Sequence, residues 1–145
     1  PLRIIIDKNF KIKKNLYLVK SSKKVKTYIF YNKKNHKYDH LKAKGIKLIY
    51  CPIDENNNLD LIFIMKKIKK LKINYLLVEG GKLLTEEFLS HRLFNCFYLF
   101  KSSKVSSFGK KYKILKIIKL IKKNFSKFNK VNTYLDNDII MRHYN

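Results

Sequence analysis

Apolar and polar positions alternate along the chain in a way that separates short extended runs from longer helical ones. Residues 2–6 form an apolar run interrupted only by Arg3, with Asp7 where the strand would end. Strands buried on both faces of a parallel sheet have this continuous pattern. Residues 10–24 are polar and lysine-rich around Leu16, Tyr17, Leu18 and Val19, which predicts a loop holding a short strand. KTYIFY at 26–31 is β-branched and aromatic, a second strand. Residues 36–44 read as a short helix closed by Gly45, and 46–51 as a third strand stopped by Pro52. Residues 59–71 place apolar side chains at 61, 62, 64, 65, 68 and 71 against lysines at 66, 67, 69, 70 and 72, an amphipathic helix.

YLLV at 75–78 is predicted to be the central strand. After it, Leu83, Leu84, Phe88 and Leu89 mark the inner side of a helix. Residues 94–100 predict a further strand, 114–121 fit a helix or a strand equally, and 125–133 with 138–143 predict an antiparallel hairpin turning at 136–138. With no repeat or linker, the order is that of one α/β domain, a mostly parallel sheet with an antiparallel C-terminal hairpin.

The stretch with the most chemistry is YLLVEGGKLLTEEFL at 75–89. A strand ending in Glu79 and turning through Gly80 and Gly81 leaves the first amides of the next helix unpaired, and with the helix dipole they form an anion site. Glycines there let a phosphate approach the main chain. Glu79 and, across the crevice, Asp7 would face the same ligand. The bland alternatives are a tight strand-to-helix connection with a solvated Glu79, and a turn-initiating aspartate at Asp7.

The formal charge of +24 suggests a nucleic-acid-binding module as the alternative. Only Arg3, Arg92 and Arg142 are arginines among the 34 basic residues, however, whereas phosphate and base recognition favours arginine's fork. Lysine, Asn, Ile, Tyr and Phe are all rich, and A/T-rich codons encode all five, so the charge reads mainly as the imprint of genome composition. Cys51 and Cys96 have no paired spacing, which suits a reducing cytoplasm. No apolar run approaches the length of a membrane span. His36, His40, His91 and His143 show no metal-ligand spacing, so no metal is expected. GxSxG, GxGxxG and Walker A motifs are absent, and catalytic residues are not assigned.

PLRIIID at 1–7 together with YLLVEGGKLLTEEFL resembles the reductase domain of the bacterial riboflavin-biosynthesis deaminase/reductase, the RibD C-terminal family with a dihydrofolate-reductase-like fold. The similarity extends weakly along the chain through Phe108-Gly109 and Asn137-Asp138. The resemblance implies a three-layer α/β sandwich. The activity it implies is NADPH-dependent reduction of the ribosyl group of 5-amino-6-(5-phosphoribosylamino)uracil to the ribitylamino form. By position, Glu79 would contact substrate. Gly80, Gly81, Lys82, Leu83, Leu84, Thr85, Glu86 and Glu87 would cradle the cofactor phosphates, with Asp7 and Lys8 beside the cofactor. A homo-oligomer and a deaminase domain, in the same or a separate chain, are the implied partners. The sequence departs from the family where Lys8 replaces a serine, where Asn95-Cys96 replaces an Asp-Glu pair, and where a proline before Phe108 is missing. The family's first strand and its substrate-phosphate-binding arginine block precede Pro1, so 1–145 is expected to be a single reductase-like domain lacking both, or a remnant that no longer catalyses.

Overall fold

The computed structural model describes residues 1–102, 115–132 and 137–145. It has the expected α/β class, with parallel strands in the first half and an antiparallel hairpin at the end, organised in two compact units, Pro1–Leu76 and Leu77–Asn145.

In the first unit, β1 (Arg3–Ile6), β2 (Thr27–Tyr31) and β3 (Lys47–Tyr50) form a parallel sheet in the order β1-β2-β3. Every residue of β2 is buried, as a central strand with both faces covered requires. Alternate side chains feed two cores. Ile29 and Tyr31 pack with Phe10, Val19, Leu41 and Ile46, on the side of α1 (Tyr17–Lys20) and α2 (Tyr38–Ala43). Phe30 packs with Cys51, Leu59, Ile64 and Ile68, on the side of α3 (Leu61–Lys70). Residues 17–20 are therefore a helical turn rather than the short strand expected there, because Leu18 and Val19 cover one sheet face together. Asp60 caps α3 by accepting from the Phe63 amide at 2.9 Å, and Gly45 ends α2 with φ +81°. Arg3, the one break in the first apolar run, donates to Thr27 Oγ1, Ser21 Oγ and the Val25 carbonyl, so its charge is hydrogen-bonded across the unit.

The second unit holds α4 (Lys82–Ser90), β4 (Cys96–Lys101), α5 (Leu115–Asn124), β5 (Lys127–Val131) and β6 (Ile139–Tyr144). Its antiparallel sheet runs β4-β6-β5, with Cys96 opposite Tyr144 and Phe128 opposite His143. Leu89, Ile117, Ile121 and Phe125 form its core, extended by Phe94, Phe97 and Leu120. The ambiguity at 114–121 resolves to a helix because Ile117 and Ile121, four apart, both point into that core. Phe108, Gly109 and Asp136 lie outside the described residues.

The segment 75–78 departs from expectation. It is not a strand: Tyr75 is 94% exposed and Leu77 82% exposed, and their backbone groups make no hydrogen bond among the described residues. The strand-like pattern of YLLV is intact, but neither sheet supplies an edge to it, so the parallel and antiparallel strands stay in separate sheets.

Candidate functional site

The chain enters α4 from an extended residue, Gly81 at φ −74° and ψ 178°, which caps the helix with no side chain. The first backbone bond of the helix runs from the Thr85 amide to the Gly81 carbonyl at 3.1 Å, so the amides of Lys82, Leu83 and Leu84 have no backbone acceptor among the described residues. The two glycines serve different ends. A Cβ on Gly80 would lie 2.9 to 3.3 Å from the Leu84 side chain, so Gly80 lets Leu84 fold back over the turn. A Cβ on Gly81 would meet nothing within 4 Å, so the approach to the free amides is open. No acidic residue stands in the first turn. Open amides, an unscreened positive helix end and a bare cap fit a phosphate group.

Glu79 is exposed and makes no hydrogen bond or ion pair among the described residues, which leaves its carboxylate available to accept from a hydroxyl. Leu83 is 78% exposed, Thr85 half-buried and Glu86 buried, so the expected cradle of 80–87 divides. Its first turn faces outward, while Glu86, Phe88 and Leu89 turn inward. Lys82 Nζ lies 3.7 Å and Lys116 Nζ 3.0 Å from the Glu86 carboxylate. Lys116, which the sequence reading missed, comes from α5, and no local pattern ties position 116 to 86. Glu87 lies 3.7 Å from His91 Nδ1.

Asp7 and Lys8 belong to the first unit. Both Asp7 oxygens accept from backbone amides, Lys11 and Ile12, each at 2.8 Å, and this folds the loop after β1 under Phe10, a fully buried residue at φ +51°. Lys8 donates its ammonium to the Asn57 carbonyl and, at 2.6 Å, to Asn57 Oδ1. Both side chains are thus engaged with the chain itself. Cys51 is fully buried, and burial together with Asp60 pushes its thiol up to about 11, so it stays protonated and inert. Among the described residues no three His, Cys, Asp or Glu side chains gather as a metal would need, and no helix is long and apolar enough to cross a membrane.

Residues 1–111 match the RibD C-terminal domain family. The chain belongs to that family. A riboflavin biosynthesis protein RibD from Aquifex aeolicus is 28% identical over 109 residues, 75% of this chain and 29% of that protein. Among solved structures, a RibD of Acinetobacter baumannii shares the fold with a TM-score of 0.68 at 15% identity, over 99% of this chain and 37% of its own. The riboflavin biosynthesis reductase of Saccharomyces cerevisiae does so at 0.66 and 15%, over 99% of this chain and 69% of its own. A pyrimidine reductase-like protein of Corynebacterium diphtheriae gives 0.67 at 13% identity, over 99% of this chain and 60% of its own. The chain therefore spans roughly a third of the two RibD proteins it resembles.

Proposed function

We infer that this RibD C-terminal domain contributes the reductase step of riboflavin synthesis. In that step 5-amino-6-(5-phosphoribosylamino)uracil gains a hydride from NADPH and a proton, and its ribosyl ring becomes a ribityl chain. The observation that carries the reading is the glycine-capped start of α4 inside the family match, with three free amides and an open approach at Gly81. When bound, the dinucleotide supplies the hydride. The chain's own part is to hold and orient: the first turn of α4 takes the cofactor phosphates, and Glu79 accepts a hydrogen bond from a substrate hydroxyl. Within the first unit, Asp7, with its carboxylate fixed on the Lys11 and Ile12 amides, orders the loop after β1, and Lys8 anchors that loop on Asn57.

The exposed 75–78 segment supports the further reading that the domain is completed by chain outside 1–145, including the family's first strand and substrate-phosphate block. A deaminase partner and a cytoplasmic homo-oligomer go with that reading.

Titration of the full-length protein with NADPH, followed by cofactor fluorescence, tests it. Saturable binding that Glu79→Ala with Gly81→Val abolishes is expected. The second reading, a non-catalytic remnant beside a deaminase, is favoured by Lys8 standing where the family has serine, and a folded protein with no NADPH binding would establish it.

A further inference from the structure

The antiparallel sheet of the second unit turns one face to its helices. Phe97 joins the core of Leu89, Ile117, Ile121 and Phe125, and His143, opposite Phe97, lies against the Phe125 ring. Directly opposed residues of an antiparallel pair share a face. The register therefore places Tyr98, Phe100, Arg142, Tyr144, Lys127 and Asn129 together on the reverse side. Of the nine positions on that side, three on each strand, only Ile140 is buried, on the central strand between Phe100 and Val131.

The reverse face is aromatic and basic. Phe100 is 68% and Tyr98 50% exposed, although rings of this size gain most by burial. The Arg142 guanidinium is held 4.9 Å over the Tyr144 ring, with its Nε donating to Cys96 Sγ at 3.3 Å. Lys127 stands exposed in the same row as Cys96 and Tyr144. None of the nine residues is acidic. A second copy of this face would bring Arg142 and Lys127 against like charges with no carboxylate to answer them. The face suits instead a ligand that carries negative charge and flat rings together.

Tyr98 and Phe100 are two residues apart on one strand, a separation of about 6.8 Å. That is twice the roughly 3.4 Å between stacked nucleotides of one strand. Bases resting on these rings are therefore splayed apart, one base to each ring, as in the recognition of single strands. A duplex, whose bases are already stacked and paired, has no ring faces to offer.

We propose that this sheet face is a stacking platform for single-stranded nucleic acid, with Tyr98 and Phe100 each under one base, the Arg142 and Tyr144 pair as a third shelf, and Lys127 at the phosphate backbone. The exposed rings and the sheet register carry this, rather than the chain's lysine excess, and it holds whether or not α4 binds a dinucleotide.

Fluorescence anisotropy of the full-length protein with labelled oligouridine and oligodeoxythymidine of about 12 nucleotides, and with a duplex of the same length, tests the platform near physiological salt. Either single strand should bind more tightly than the duplex. Phe100→Ala should weaken single-strand binding about tenfold, and Tyr98→Ala with Phe100→Ala about a hundredfold, at unchanged circular dichroism. Phe100→Tyr, which keeps the ring, should stay within about twofold of wild type. Both side chains are exposed, so these variants fold. Equal affinity in wild type and the double variant assigns the binding to dispersed lysines and overturns the platform. Tighter binding of the duplex overturns it as well. Wild type that binds no oligonucleotide also overturns it, and sedimentation then shows whether a dimer that Phe100→Ala dissolves occupies the face instead.

Discussion

His143 lies on β6 with ring centroids 6.4 Å from Phe125 and 5.8 Å from Phe128, and its buried Nε2 finds no hydrogen-bond partner among the described residues. Burial lowers its pKa below the usual 6.5 because the imidazolium would lose its water. At mildly acidic pH the unfolded chain therefore binds more protons at this residue than the folded one. Stability is full above about pH 6.5 and declines as pH falls through the lowered value. Urea midpoints of wild type should fall between pH 7.5 and 5.5, and His143→Phe should flatten the decline; parallel pH profiles in the two proteins would refute this. Other single residues were readable only in type. Asp7 stood out in the sequence as a carboxylate at a strand end, but only the fold shows both its oxygens held by the Lys11 and Ile12 amides. Arg3 read as an interruption and turned out to be a three-way tie.

At the scale of elements, α4 begins after the glycines as the sequence predicts and turns Phe88 and Leu89 inward, but Leu83, expected on the inner side, is 78% exposed because it lies on the outward-facing first turn. Gly80 is fixed by contact with Leu84, whereas Gly81 is sterically free, so a side chain at 81 separates stability from binding. Gly81→Ser should supply the missing cap to an amide of the first turn and raise thermal stability by a few tenths of a kcal/mol. The same hydroxyl then competes for the amides a phosphate would use, so NADPH affinity should drop. A calorimetric melt beside a binding titration checks both halves, and a variant that gains stability with no loss of affinity would place the phosphate elsewhere. The helix at 61–70 was legible from its period, while the cap by Asp60 emerged only in the structure. Residues 75–78 and 17–20 were misread because a four-residue apolar run carries no information about which edge or face will receive it.

For the whole molecule, the +24 charge neither builds nor blocks the fold. Two of the three arginines are engaged with the chain itself, Arg3 as above and Arg142 with Cys96 and over the Tyr144 ring at 4.9 Å, which leaves the charge-based nucleic-acid alternative resting on Arg92 and dispersed lysines. The larger consequence is the unpaired 75–78 segment, whose exposed Tyr75 and Leu77 have no backbone partners among the described residues. In a 1–145 polypeptide the amides of 75–78 should exchange with deuterium at nearly unprotected rates while those of β2 resist. In the full-length protein the same amides should be protected if an added strand completes the sheet. Equal exchange in both would argue against completion by outside chain.

The sequence by itself determined the α/β class, most strand and helix positions, and the glycine-capped helix that carries the candidate site. These depend on periodicity and on backbone freedom at Gly80 and Gly81, properties of neighbouring residues. Tertiary structure alone decided which strands share a sheet, that 75–78 finds no strand partner among the described residues, and that Lys116 joins Lys82 on a buried Glu86. Those depend on contacts between residues far apart in the chain, and no local pattern of charge or hydropathy encodes which distant partner will arrive.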